Sequence, residues 1–241
     1  MTFSRPRRVL LAISCAFSAC CALVSPIHAQ TVIGAASTPD RFNRLRDYAA
    51  RPYISNPPVS PDVFGTAAVG AGVTFYDARF RRVSLADKHD ASVLAIADMV
   101  RGLDPAAQLA AVQSEVLRRV KWSHDLDNMR VADFWSNAGE TLARGTGDSE
   151  DIAIVEMQVL KAAGFDPRDL YISIGRQKPV GAHIVLLART PAGFTMLDDR
   201  LGVPMSAQGN RLFTPVLTIG QGKSWVHGRR VGGMALHASA R

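Results

Sequence analysis

From Leu85 onward the apolar positions follow two different rhythms. Through "ASVLAIADMVRG" they recur at steps of three and four, the repeat of a helix with one buried face. A second helix has a clear start. Asp104 can cap it and Pro105 suits its first turn. Leu109, Val112, Val116 and Val120 then share a face, so the two helices predict a helical lobe. A third helix, from about Ser149 to Ala163, differs in kind. Ile152, Ala153, Ile154 and Val155 are consecutive, which places apolar side chains nearly all round and predicts burial on most sides. Asp148 can cap it, Glu150 and Asp151 put negative charge in its first turn, and Gly164 suits its end.

After Gly164 the rhythm shortens. "LYISIG", "AHIVLLA" and "FTMLDD" are rich in strand formers, and "TPAG" reads as a hairpin loop between the last two. "LFTPVLTIG" predicts a further strand. "KSWVHGRR" reads as a surface tail with His227 facing solvent. Before the helices, residues 30–61 carry "RPYISNPPVSPD" and read as an extended arm; "FGTAAVGAGV" reads as a loop. "KWSHDLDNMRVADFWSNAGETLARGTG" reads as a polar connection. Helices first and an antiparallel sheet last make an α+β order, in one domain over residues 62–241.

The first 29 residues stand apart. Arg5, Arg7 and Arg8 precede an apolar run from Val9 to Val24, and the small Ala29 precedes Gln30. This is the layout of a cleaved secretory signal and predicts a periplasmic protein. Its removal takes three of the 28 basic residues and none of the 21 acids, so the net charge falls from +7 to +4. That charge, with no basic run interleaved with aromatics, argues against a nucleic-acid partner. Cys15, Cys20 and Cys21 all lie in this segment, so cleavage after Ala29 leaves no disulfide and no thiol nucleophile. "FSAC" loosely matches a lipoprotein cleavage box, and lipidation at Cys20 is the alternative.

Three residues suggest chemistry. Ser149 opens the buried helix, where backbone N–H groups can stabilise an anion. His183 lies in the "AHIVLLA" strand and Asp198 ends the strand across the hairpin, and antiparallel neighbours lie about 4.8 Å apart. An acid orienting an imidazole that addresses a hydroxyl is a nucleophile–base–orienter arrangement. Singly, each has an ordinary explanation: a cap, a core histidine and a turn former.

"GTGDSEDIAIVEMQVLKAAGF", "AHIVLLA" and "LDDR" together resemble the LapG-like bacterial transglutaminase-like cysteine peptidases. "DFWSNAGETL" and "VFGTA" look similar to further segments of that family. The resemblance covers about residues 62–228 and implies a papain/transglutaminase-like fold. It implies that His183 is the general base, that Asp198 orients it, and that Ser149 stands where the family has its cysteine. Ile152 replaces a usual aromatic and Asp199 a usual Asn, both expected to sit off the chemistry. The resemblance also implies calcium beside the nucleophile, held by Asp148, Glu150 and Asp151, with Asp169 as a further ligand. Such oxygens suit calcium. It implies a protein or peptide substrate, such as a surface adhesin, and for some members an inner-membrane receptor that senses cyclic di-GMP.

A thiol is readily made a thiolate at a helix N-terminus, whereas a serine must lose its proton during attack. Two readings therefore stand side by side: a peptidase with Ser149 as a weakened nucleophile, and an inactive homologue that binds a peptide or partner in the same groove. A structural exported domain without a groove is the third.

Overall fold

The computed structural model describes residues 58–84, 89–179, 181–220, 222–231 and 234–235. All of them fall in one unit, Ser55–Arg241. The expected signal segment with its three cysteines, the arm as far as residue 57, and the Leu85 start of the first expected helix lie outside the described residues.

The "FGTAAVGAGV" stretch, expected to be a loop, contains strand β1 (Thr66–Gly70). Its partners lie some 160 residues away in β9, described below, and small residues carry no local strand signal. Helix α1 (Tyr76–Ser84) was not expected either. Only Phe80 and Val83 of its side chains are buried, too few to set a period. Helices α2 (Ala91–Val100) and α3 (Pro105–Arg119) follow, each capped by an aspartate. Asp90 accepts from the amides of Ser92 and Val93, and Asp104 from those of Ala106 and Ala107.

The polar connection is more ordered than its composition suggests. It holds β2 (Lys121–Trp122) and β3 (Thr146–Gly147), paired in parallel, with α4 (Asp125–Met129) and α5 (Ala138–Arg144) between them. Asn137 and Glu140 form a reciprocal capping box on α5, a signal that was legible in "NAGE". Helix α6 (Ser149–Ala162) has every side chain from Asp151 to Leu160 buried. It packs against α2, α3 and α5 and against strands β4 and β5 of the sheet. Each fully buried Val, Leu or Ile is worth roughly 1.5–3 kcal/mol, so this helix fixes its own N-terminus firmly in place.

The sheet comprises β4 (Leu170–Gln177), β5 (Gly181–Thr190), β6 (Gly193–Leu197), β7 (Met205–Ser206), β8 (Phe213–Gly220), β9 (Lys223–Val231) and β10 (Met234–Ala235), together with β1. Its order is β1-β9-β8-β4-β5-β6-β7, with antiparallel neighbours throughout, and β10 adds to β9. The fold is thus α+β, with a helical lobe and a central helix on an antiparallel sheet. Alternation along the strands makes two cores. Ile172, Leu186, Ala188 and Ile219 meet the helices. Tyr171, Val185, Leu187, Phe213 and Trp225 fill the opposite face with Val63 and Ala207.

"KSWVHGRR" is corrected: it is strand β9, not a tail. His227 is half-buried, its ring held between Thr66 of β1 and Thr218 of β8. Its ring nitrogens sit 2.7 Å from Thr66 Oγ1 and 2.8 Å from Thr218 Oγ1, and burial lowers its pKa to about 4. Among the described residues, no helix is long and apolar enough to cross a membrane.

Candidate active site

Ser149 is the first residue of α6 and is 7% exposed. Asp148, in extended conformation, caps the helix by accepting from the Asp151 amide at 3.4 Å. Such a terminus leaves its first N–H groups outside the helical ladder and carries the positive end of the dipole. Ser149 opens onto a cleft of about 670 Å³ that His183, Asp199, Ile174 and Trp122 also line.

His183 and Asp198 meet where strands β5 and β6 have already parted. The last pair on this side is Leu186 with Leu197, and that register would set His183 opposite Arg200. The contact is therefore diagonal, not the direct cross-strand neighbour expected. His183 Nε2 lies 2.8 Å from Asp198 Oδ1, and both side chains are fully buried. Asp198 is held from three further sides. Gln177 Nε2 donates to Oδ2 at 2.6 Å, the Arg200 amide donates to Oδ1 at 2.9 Å, and Gln113 Nε2 donates to the backbone carbonyl at 2.8 Å. Burial opposes the charge, but the hydrogen bonds from His183, Arg200 and Gln177 outweigh it and hold the carboxyl below its usual range. Opposite His183, Gly175 of β4 leaves room for β8. A Cβ there would meet the Thr214 carbonyl oxygen, and would come within 2.7 Å of the Phe213 ring.

Asp199 corrects an expectation. It lies on the chemistry, not off it. Its Oδ1 is 3.5 Å from His183 Nε2, and Asp199 lines the cleft together with Ser149. Burial raises its pKa, against the pull of His183 and Ser149. Beneath it, Glu156 on α6 is raised well above the carboxylate range by burial and by the charges of Asp199 and Asp198. The second ring nitrogen of His183, Nδ1, is buried without a hydrogen-bond partner among the described residues.

The acids beside Ser149 divide. Asp148 and Glu150 join Asp125 of α4, with one carboxylate oxygen of each within 4.8 Å of the others. Burial raises both Asp148 and Glu150, and for Glu150 the charge of Asp148 adds to it. Asp125 Oδ1 is buried without a partner among the described residues. Three hard oxygens that repel one another, one of them unsatisfied, fit a divalent cation such as calcium. Asp151 points away from them. It accepts from the Ser136 amide at 2.8 Å and from Arg144 Nη2 at 2.7 Å, and burial still pushes it up to about 7. Asp169 is remote, at the start of β4, where Arg189 Nε donates to it at 2.8 Å. Neither Asp151 nor Asp169 joins the cluster, because each is already committed to an arginine.

A model of the bacterial transglutaminase-like cysteine proteinases matches residues 87–207. The chain belongs to this family. Among solved structures, calcium-bound LapG from Legionella pneumophila matches with TM-score 0.51 and 21% identity, over 66% of this chain and 93% of that one. LapG of the same organism in two further structures, one EGTA-treated, matches with TM-score 0.50 and 21% identity. These two cover 65% of this chain and 90% and 87% of theirs. At such identity the likeness speaks for the fold. No curated protein matches the sequence.

In this transglutaminase-like frame, sequence reasoning missed Asp125, Gln177, Gln113 and Arg144. Gln177 had a faint signal, a polar residue on the inward-facing alternation of β4 that includes Ser173 and Tyr171. Asp125 had none, since it is one of several acids in "SHDLDN" and reaches the cluster only through tertiary packing.

Proposed function

We propose that this chain is an exported peptidase homologue that acts on a protein or peptide, with Ser149 at the nucleophile position, His183 as base and Asp198 as its orienting acid. The observation that supports this most is the buried 2.8 Å His183–Asp198 pair, which lines one cleft with the Ser149 end of α6. An orienting carboxylate, an imidazole and a hydroxyl at a helix N-terminus suit acyl transfer. Residues 1–29 serve as the secretory signal, so the site of action is the periplasm. Surface adhesins are the substrate class, and an inner-membrane receptor sensing cyclic di-GMP is the regulatory partner.

Calcium belongs to the same proposal. Asp125, Asp148 and Glu150 would hold it, and Asp151 and Asp169 would not. The ion would offset the repulsion among these carboxylates and stiffen the entry to α6. Legionella pneumophila LapG has been solved both calcium-bound and EGTA-treated.

A second reading, an inactive homologue that binds a peptide or partner in the cleft, is favoured by one observation. His183 Nδ1, the ring nitrogen not used by Asp198, is buried without a hydrogen-bond partner among the described residues, so no hydroxyl is engaged by the base. Changing Ser149 to Cys separates the two. The peptidase reading expects the variant to cleave an extracellular adhesin fragment faster than the parent, which retains measurable cleavage. A parent that binds the fragment without ever cutting it gives the second reading.

A further inference from the structure

We infer that His183, Asp198 and Asp199 form a cation site of their own, one that takes a divalent transition ion such as zinc. It is separate from the all-oxygen cluster of Asp125, Asp148 and Glu150. One ligand atom from each of the three side chains lies within 4.8 Å of the other two. His183 Nε2 has Asp198 Oδ1 at 2.8 Å and Asp199 Oδ1 at 3.5 Å. A single hydrogen on Nε2 accounts for the first contact and leaves the second without one. The Asp199 side chain is only 5% exposed, and its Oδ1 has no hydrogen-bond partner among the described residues. A buried carboxylate oxygen without a donor is costly, and a cation shared with the imidazole and the second carboxylate relieves that cost.

The donor set selects the ion. An imidazole nitrogen suits zinc and its transition-metal neighbours, whereas calcium takes a shell of oxygens. Tetrahedral zinc with bonds of about 2.1 Å keeps its ligands about 3.4 Å apart. Asp199 already stands at that spacing from Nε2, and Asp198 would open by about 0.6 Å. Gln177 on Asp198 Oδ2 and the Arg200 amide on Oδ1 are the kind of outer donors that orient a ligating carboxylate. His183 and Asp199 line the cleft, which supplies the route in. Three protein ligands leave a position for water, as in zinc sites that exchange ligands.

Occupancy silences the base, a consequence that rests on the peptidase reading. A metal on Nε2 uses the lone pair there, so the hydrogen that Nε2 directs at Asp198 moves to Nδ1. Neither nitrogen then has a free pair with which to take a proton from Ser149. The ion is thus a reversible lock on the imidazole. Its removal returns the hydrogen to Nε2 and the free pair to Nδ1.

The test is calorimetric titration of the purified protein with zinc, in excess calcium so that the acidic cluster is filled. The parent should show a zinc site that Asp199→Asn and His183→Gln each weaken by at least about 100-fold, the upper end of the loss for an outer-shell partner. Glu150→Gln should leave the zinc affinity unchanged. Thermal melts show that the variants are folded. Zinc should also slow labelling of Ser149 by a fluorophosphonate probe by about 100-fold, the scale of a lost general base, and a zinc-selective chelator should restore it. A parent that binds no zinc, or parental affinity in folded Asp199→Asn, would overturn the site. Zinc that binds yet leaves labelling at its metal-free rate would overturn the lock. A parent that binds zinc but is never labelled, even in chelator, keeps the site and takes down the lock together with the Ser149 peptidase reading.

Discussion

His183 and Asp198 are joined at 2.8 Å beyond the end of the ladder that pairs their strands. The contact survives without ladder support because Asp198 is also gripped by Gln177, by the Arg200 amide and, through its carbonyl, by Gln113. A fixed carboxylate fixes the imidazole plane, and only a fixed imidazole can act repeatedly at one point in the cleft.

Gln177→Leu should therefore be felt at His183. It leaves Asp198 Oδ2 buried without its donor, a loss of about 1–3 kcal/mol. For a domain of this size that is a fall in Tm of roughly 2–12 °C. The direct check is the acid limb of the melting curve. Asp198 keeps its charge by virtue of these donors, so the stability it contributes is present above the ordinary carboxylate pKa and lost as pH falls through its lowered one. The variant should begin that loss at a higher pH than the parent.

Gly175→Ala should damage the site from the side. The new methyl would meet the Thr214 carbonyl and the Phe213 ring, in the strand pair that backs His183. Overpacking of this kind costs typically about 1–3 kcal/mol. The expected outcome is a lower Tm together with slower cleavage by the Ser149→Cys enzyme. A neutral Gly175→Ala would mean that β8 yields freely.

Calcium should reverse the pH response of the acidic cluster. Asp148 and Glu150 have raised pKa values, so their contribution to stability is present at low pH and is lost as pH rises through those values. In EGTA the Tm contribution of the pair should fall from about pH 4, the ordinary carboxylate range, to about pH 9. Added calcium should restore it at the upper end, by binding the ionised carboxylates. Glu150→Gln should abolish most of both effects. Equal melts in EGTA and calcium at every pH would refute the site.

His227 gives the opposite sign elsewhere in the sheet, on β9. Its pKa is lowered to about 4, so its contribution is present above the ordinary histidine pKa and lost as pH falls toward that value. The loss amounts to at most about 3 kcal/mol. Replacing it with Gln, which cannot charge, should flatten the melting curve between about pH 6.5 and about pH 4. An unchanged slope would mean that the ring is free to leave its two threonines.

The sequence by itself determined what depends on neighbours along the chain. The caps at Asp104 and Asp148, the all-round apolar face of α6, the stop at Gly164 and the strands after it are short-range facts, because helix and strand periods are local. It also carried the motif by which the family is recognised. Tertiary structure decided what depends on distant pairing. The residues of β1 became a strand because β9 lies beside them, and His227 was half-buried for the same reason. Asp125 entered the acidic cluster and Asp151 left it because side chains choose partners by packing, not by spacing. Asp199 and Ser149 line one cleft because tertiary packing brings the segment after β6 and the start of α6 to it. Two consecutive aspartates then approach one imidazole nitrogen, Nε2 of His183, a geometry that no reading along the chain can supply.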